Sequence, residues 1–300
     1  MTILKGFASF VLAATIVSTL SAETHCPGNV GSVPFHLVNR YQIMLDASIN
    51  HSGPYNFLLD TGTQITTVDP SLAAELHLDT DGEAVVAGAG SRQSASFAQV
   101  DRLEAGTHAV TNQRVLVYGL QSLHSSDLHI EGILGEDFLE HFDMLIDNKH
   151  GLLCLDDTGA MRAGVKGMHV ALLAPADRSA LSRLLIIEVR LSDGMRPVRL
   201  MLDSGANVPL LYNAPQYMAL QLSRTAPLRG SGVDGSQRIF SALPSQQVKI
   251  GSRELSDVSF FGLAGVQNDS RAKGFDGVLT MGLFRRIFID HVDHFAVLEP

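Results

Sequence analysis

The sequence predicts an all-β chain of two similar lobes with few short helices, and three observations carry that prediction. Most apolar runs are short, rich in Val, Ile, Leu and Phe, and bounded by Gly, Asp, Asn or Ser, the pattern of strands between turns. The stretch FLLDTGTQITTV at 57–68 returns as LMLDSGANVPLLY at 200–212, with an apolar run, an Asp, a hydroxyl residue, a Gly and a second apolar run each time. The segments around these two points also recur in the same order, and internal repeats decide an architecture before any single motif does.

Before Asp60 runs YQIMLDASINHSGPYNFLL, and before Asp203 runs LLIIEVRLSDGMRPVRLML; each reads as a hairpin that delivers the Asp at the end of its second strand. Each half then carries a glycine-rich polar stretch, GAGSRQS at 88–94 and GSGVDGSQ at 230–237, flanked by segments able to pair as strands and fit to form a mobile hairpin tip. Each half closes on an apolar-Gly element, GILGEDFLEHFDMLIDNKHGLLCL from Gly132 and GVLTMGLFRRIFIDHVDHFAVLEP from Gly277. Helical candidates are PSLAAELHL at 70–78 and DFLEHF at 137–142, with PQYMALQL and GLFRRIF in the matching places of the second half. The Asp-Gly pairs at 81–82, 193–194, 234–235 and 276–277 read as tight turns. The polar stretch from Asp156 to Gly167 reads as the linker between lobes.

These motifs resemble the aspartic proteases. Asp-Thr/Ser-Gly followed by an apolar-apolar-Gly element, here Ile133-Leu134-Gly135, occurs once per half, and the closest likeness is to retropepsin-like domains present twice in one chain. The resemblance runs from about residue 35 to the C-terminus. It implies a bilobal acid-protease fold of two β-barrel lobes, residues 23–158 and 159–300. It implies Asp60 and Asp203 as a catalytic pair that activates water to hydrolyse peptide bonds. It further implies that the hydroxyls of Thr61 and Ser204 lock the two loops together across the lobes. Gly62 and Gly205 let the backbone turn tightly, and Thr63 is placed to donate to Asp60, whereas Ala206 at the same point of the second copy has no hydroxyl to offer Asp203. The flap and substrate contacts fall on Gly88, Ala89 and Gly90, and on Gly230, Ser231 and Gly232. No cofactor and no metal are implied, and one chain supplies both aspartates, so a monomer suffices.

The physical reason for pairing the acids is that a single buried carboxylate is costly to ionise, while two brought together share one proton. One departure from the pattern is Thr280, where Gly is expected by analogy with Gly135. It motivates an alternative reading of the chain as a peptide-binding protein with little or no catalysis.

Composition excludes other classes. The 300 residues are 45% hydrophobic, enough for two cores, and the net charge of −9 with 22 scattered Lys and Arg argues against a nucleic-acid partner. The sequence DHVDH at 290–294 reads as an exposed strand-turn rather than a metal site, because neighbours on a strand point to opposite faces. Residues 1–22 have one Lys, an apolar run and small residues at Ser21 and Ala22, the pattern of a cleaved secretory signal; the mature chain then has no membrane span, and the protein is expected in the periplasm or secreted. An oxidising compartment permits a Cys26–Cys154 bond, but two free thiols are the expectation, since Cys154 lies in the apolar run GLLCL.

Overall fold

The computed structural model describes residues 25–87, 92–124, 128–173, 183–192, 196–212, 228–231, 237–263 and 274–299. The chain is all-β in two lobes, organised as a thirteen-stranded and a nine-stranded sheet system. The segment 1–22 lies outside the described residues, and among those described no helix is long and apolar enough to cross a membrane.

The two Asp loops are built the same way. In the first half, the strands Gln42–Ile49 and Ser52–Leu59 form the expected hairpin, with Ile43 opposite Leu59. Its second strand pairs in parallel with Gly132–Leu134, Leu59 beside Leu134. The short strand Thr67–Val68 then runs antiparallel to Gly132–Leu134 and parallel to His108–Val117. In the second half, Ile186–Leu191 and Val198–Asp203 form the hairpin, and the latter pairs in parallel with Gly277–Thr280, Asp203 beside Thr280. Leu210–Leu211 runs antiparallel to Gly277–Thr280 and parallel to Phe261–Leu263. In both halves a strand therefore enters between two others directly after the Asp loop, which explains the apolar sequence on both sides of each Asp. Phe57, Leu58, Leu59 and Leu134 are buried, as are Leu200, Leu202, Val278 and Leu279.

A third sheet region joins the halves. Asp143–Asp147 of the first half pairs antiparallel with Arg286–Asp290 of the second, Ile146 opposite Ile287, and these strands are flanked by Leu152–Asp156 and Phe295–Glu299. GLFRRIF is accordingly not a helix: only Met281–Leu283 forms a 3-10 turn, and from Arg286 the chain is a strand, because the neighbouring Ile287 and Phe288 are buried in two separate apolar clusters. In the first half Pro70–Glu75 is a helix capped by Asp69, and Glu136–Leu139 forms another short one. PQYMALQL and the Asp-Gly pairs at 193–194 and 234–235 lie outside the described residues. Of the other two pairs, Asp81-Gly82 sits at a register shift inside the strand Thr80–Ala87, and Asp276-Gly277 leads into a strand, so neither is a hairpin turn.

The cysteines are not free. Cys26 and Cys154 form a disulfide, with Cα atoms 5.7 Å apart, inside a cluster with Leu145, Met161, Phe288 and Val297. Pairing of Ser32 with Cys154 in the sheet returns the N-terminal segment to this spot, a register that the sequence alone does not reveal. The bond closes a separation of 128 residues. Replacing both cysteines by Ser is expected to lower stability by about 2–4 kcal/mol, read from the denaturant midpoint under non-reducing conditions.

The DHVDH turn also differs from its expected exposure. Its tip, Val292 to His294, is exposed, but Asp290 is fully buried and the His291 side chain turns inward. Arg162, from the stretch between the halves, lies 2.7 Å from Asp143, 2.9 Å from Asp290 and 3.2 Å from Asp293, which anchors the turn.

Candidate active site

The strands that end at Asp60 and Asp203 converge, and the structure brings Asp60, Thr61, Gly62, Thr63, Asp203, Ser204 and Gly205 into one site. The carboxyl groups of Asp60 and Asp203 are both largely buried and face each other, each against the glycine of the opposite loop. The backbone approaches so closely that glycine is required on each side. A Cβ at Gly62 would lie 2.7 Å from Asp203 Oδ2, and one at Gly205 would lie 2.5 Å from Asp60 Cγ. Each glycine thus leaves room for the opposite lobe's carboxyl.

Beneath the pair, the two hydroxyl residues are fully buried and tie the loops reciprocally. Thr61 Oγ1 donates to the Leu202 carbonyl at 3.0 Å and accepts from the Ser204 N–H at 3.1 Å. Ser204 Oγ donates to the Leu59 carbonyl at 2.8 Å and accepts from the Thr61 N–H at 3.1 Å. All four groups are satisfied without water, so the carboxyls rest on a base that resists separation of the lobes.

The donors aimed at the two acids differ. Asp60 Oδ1 accepts from the Gly62 N–H at 2.8 Å, and its Oδ2 accepts from Thr63 Oγ1 at 2.7 Å. Asp203 Oδ1 accepts from the N–H groups of Gly205 at 2.8 Å and Ala206 at 2.9 Å, with no hydroxyl equivalent to that of Thr63. Burial raises the Asp60 carboxyl above its ordinary 3.8, with the Thr63 hydroxyl and the Gly62 N–H pulling it back. Burial, followed by the charge of Asp60, pushes Asp203 well above the same value. The Thr63 hydroxyl thus favours the ionised form at Asp60, while burial beside that charge favours the protonated form at Asp203.

Thr280 is accommodated rather than disruptive. In the first half the N–H of Glu136, just after Gly135, donates to the Thr63 carbonyl at 2.9 Å. In the second half Thr280 Oγ1 donates to the carbonyl of Ala206, the residue matching Thr63, at 2.6 Å. A side-chain hydroxyl thus replaces a backbone N–H in holding the Asp loop. Two further supports lie outside the motifs: Gln42 Nε2 donates to the Gly205 carbonyl at 2.7 Å, and Asn148 Nδ2 donates to the carbonyls of Met281 at 3.1 Å and Phe284 at 2.9 Å. Both reach from the first half to the second, so no local pattern marks them.

The flap residues are only partly placed. Thr80–Ala87 and Arg92–Ala105 pair antiparallel up to Ala87 opposite Arg92, but Gly88, Ala89 and Gly90 lie outside the described residues. Leu228–Ser231 pairs with Gln237–Ala242, Ser231 opposite Gln237, which puts Gly230 and Ser231 on a hairpin arm at the sheet edge; Gly232 lies outside. Among the described residues no group of three or more His, Cys, Asp or Glu is placed to hold a metal ion.

Two largely buried carboxyls thus face each other at the seam of two all-β lobes, each served by donors from its own loop. A family model described as aspartyl protease matches residues 45–138, the segment from the first hairpin into the helix at Glu136. No curated protein matches the chain.

Proposed function

We propose that the protein is an exported aspartic endopeptidase that holds an extended peptide between its lobes and hydrolyses it with the Asp60/Asp203 pair. The observation that carries this reading is the unequal hydrogen bonding of two largely buried carboxyls that face each other. Asp60, kept ionised by the Thr63 hydroxyl and the Gly62 N–H, takes a proton from water. Asp203, protonated, donates to the peptide carbonyl and polarises it. Water then attacks that carbon to give a tetrahedral diol; as the C–N bond breaks, the proton on Asp60 passes to the leaving amine and a diol hydroxyl returns its proton to Asp203.

The alternative of a binding protein with little or no catalysis rested on Thr280, which here supports the Ala206 loop. Export is supported by the N-terminal signal pattern and by the disulfide, which persists in oxidising compartments. One chain supplies both carboxyls, so a monomer is expected to act.

The test is incubation of residues 23–300 with a diverse peptide library over a pH series, with and without a transition-state mimic of the pepstatin type. The expected result is inhibitor-sensitive cleavage with a bell-shaped pH dependence. The acidic limb follows protonation of Asp60 and the basic limb follows ionisation of Asp203. Because both carboxyls titrate above 3.8, the optimum lies above that value, in mildly acidic solution. Absence of cleavage at every pH, with the inhibitor still bound, would leave the binding reading in its place.

A further inference from the structure

Glu136 and His291 are buried titratable side chains that belong neither to the dyad nor to its hydroxyl base. Glu136 is fully buried and opens the helix that follows Gly135. His291 comes from the other half, at the start of the turn after Arg286–Asp290, and its side chain is 8% exposed. Its Nδ1 lies 2.6 Å from the Phe142 carbonyl, which only accepts, so Nδ1 carries a hydrogen and donates. Its Nε2 lies 3.1 Å from Glu136 Oε2. That contact therefore holds one proton, as imidazolium with carboxylate or as imidazole with carboxylic acid. The pair is net neutral either way.

The pair connects to the dyad by a short path. Glu136 donates its N–H to the Thr63 carbonyl at 2.9 Å, and Thr63 Oγ1 donates to Asp60 Oδ2 at 2.7 Å. The residue gripped by His291 is thus the one that fixes the hydroxyl serving Asp60. The second copy has Met281 in place of Glu136 and Ala206 in place of Thr63, so this support exists on one side only. The turn bearing His291 is itself held by Arg162 through Asp290 and Asp293.

We propose that Glu136 and His291 are a positioning pair that holds the Thr63 hydroxyl against Asp60 Oδ2. This deepens the reading of Asp60 and Asp203 as the reacting pair, and rests on it. Burial raises the Glu136 carboxyl against the pull of the His291 hydrogen bond, while burial opposes charge on His291 but is outweighed by Glu136, the Phe142 carbonyl and Asp143, which raise it. The other charged groups facing the pair are Asp60, Asp143, held by Arg162 at 2.7 Å, and Glu140, held by Arg183 at 2.8 Å.

The test titrates the aspartate carboxyls of the full chain by carbon-13 NMR, with Asp60→Asn identifying the Asp60 signal, and follows peptide cleavage in parallel. In His291→Ala the Asp60 titration is expected to move up by about one pH unit, the size of losing one hydrogen bond to a charged group, and the acidic limb of the rate profile moves with it. The double variant Glu136→Gln/His291→Gln joins two neutral amides in place of the pair and is expected to recover most of that shift. If His291→Ala does not fold, His291→Gln alone, which serves one of the two acceptors, is expected to give a smaller shift of the same sign. Lower thermal midpoints with an unmoved Asp60 titration would reduce the pair to a structural role and overturn the proposal. Equal shifts in His291→Ala and the double variant would overturn it too, because restoring the contact with two amides would then restore nothing at Asp60. The carboxyl titration needs no turnover: a shifted Asp60 in a protein that cleaves nothing would remove the protease reading and leave the pair, whereas an unmoved Asp60 in an active enzyme would remove the pair alone.

Discussion

Asp60→Asn and Asp203→Asn are each expected to reduce peptide cleavage by at least about a thousandfold while the protein stays folded, because each carboxyl has a task the other cannot perform alone. An amide at position 60 cannot accept the proton from water, and an amide at 203 cannot lend and recover one as the peptide carbonyl changes charge. The stability change has the opposite direction. A carboxyl whose titration is raised by folding weakens the fold as pH rises from the ordinary value, 3.8, through the raised one, since the unfolded chain ionises first. Asp203→Asn removes that cost, so its thermal midpoint should match the parent below about pH 3.5 and equal or exceed it at neutral pH. Loss of activity with a gain in stability would distinguish a catalytic acid from a structural one. Near-parental turnover in either folded variant would mean that the two carboxyls do not act as a unit.

The dyad was legible in the sequence because it occurs twice. One Asp-Thr-Gly is an ordinary turn, but two copies with the same flanking strands specify the same parallel strand insertion twice, and the geometry that joins Thr61 to Leu202 and Ser204 to Leu59 follows from that symmetry. The inequality of the acids was legible too, in Thr63 against Ala206. What stayed hidden depends on register between distant strands. The disulfide requires knowing that Ser32 meets Cys154. The contact of His291 with Glu136 spans 155 residues, and alternation along one strand says nothing about what another lobe brings to it. GLFRRIF read as helical because it stands where DFLEHF stands in the first half, whereas pairing of Arg286 with Asp147 and of Ile287 with Ile146 draws it into a strand. Thr280 read as a defect because a motif compares residue types; the structure conserves a hydrogen bond to the third residue after the Asp and changes only the donor.

Gly205→Ala is expected to cost about a hundredfold in turnover with little change in peptide binding remote from the reacting bond, even though it adds one methyl group and removes no functional atom. The added carbon would stand 2.5 Å from Asp60 Cγ and 2.6 Å from its Oδ1, well inside contact distance. Relief is not available below, where Ser204 is fully buried and bonded to Leu59, nor beside it, where Gln42 holds the Gly205 carbonyl at 2.7 Å. The Asp60 carboxyl must therefore move, by an amount on the order of 1 Å, and that displacement lengthens its bonds from Gly62 and Thr63 and changes its approach to Asp203. With its donors weakened, Asp60 becomes less acidic, so the acidic limb of the pH profile should shift upward as the maximum rate falls. Gly62→Ala offers the mirror experiment, since its Cβ would lie 2.7 Å from Asp203 Oδ2, the atom of the protonated partner. That clash disturbs the basic limb instead. Rates measured across pH for both variants, with thermal midpoints to establish folding, separate the two carboxyls by which limb moves; a Gly205→Ala enzyme with parental rate and profile would show that the carboxyls do not meet across these glycines as described.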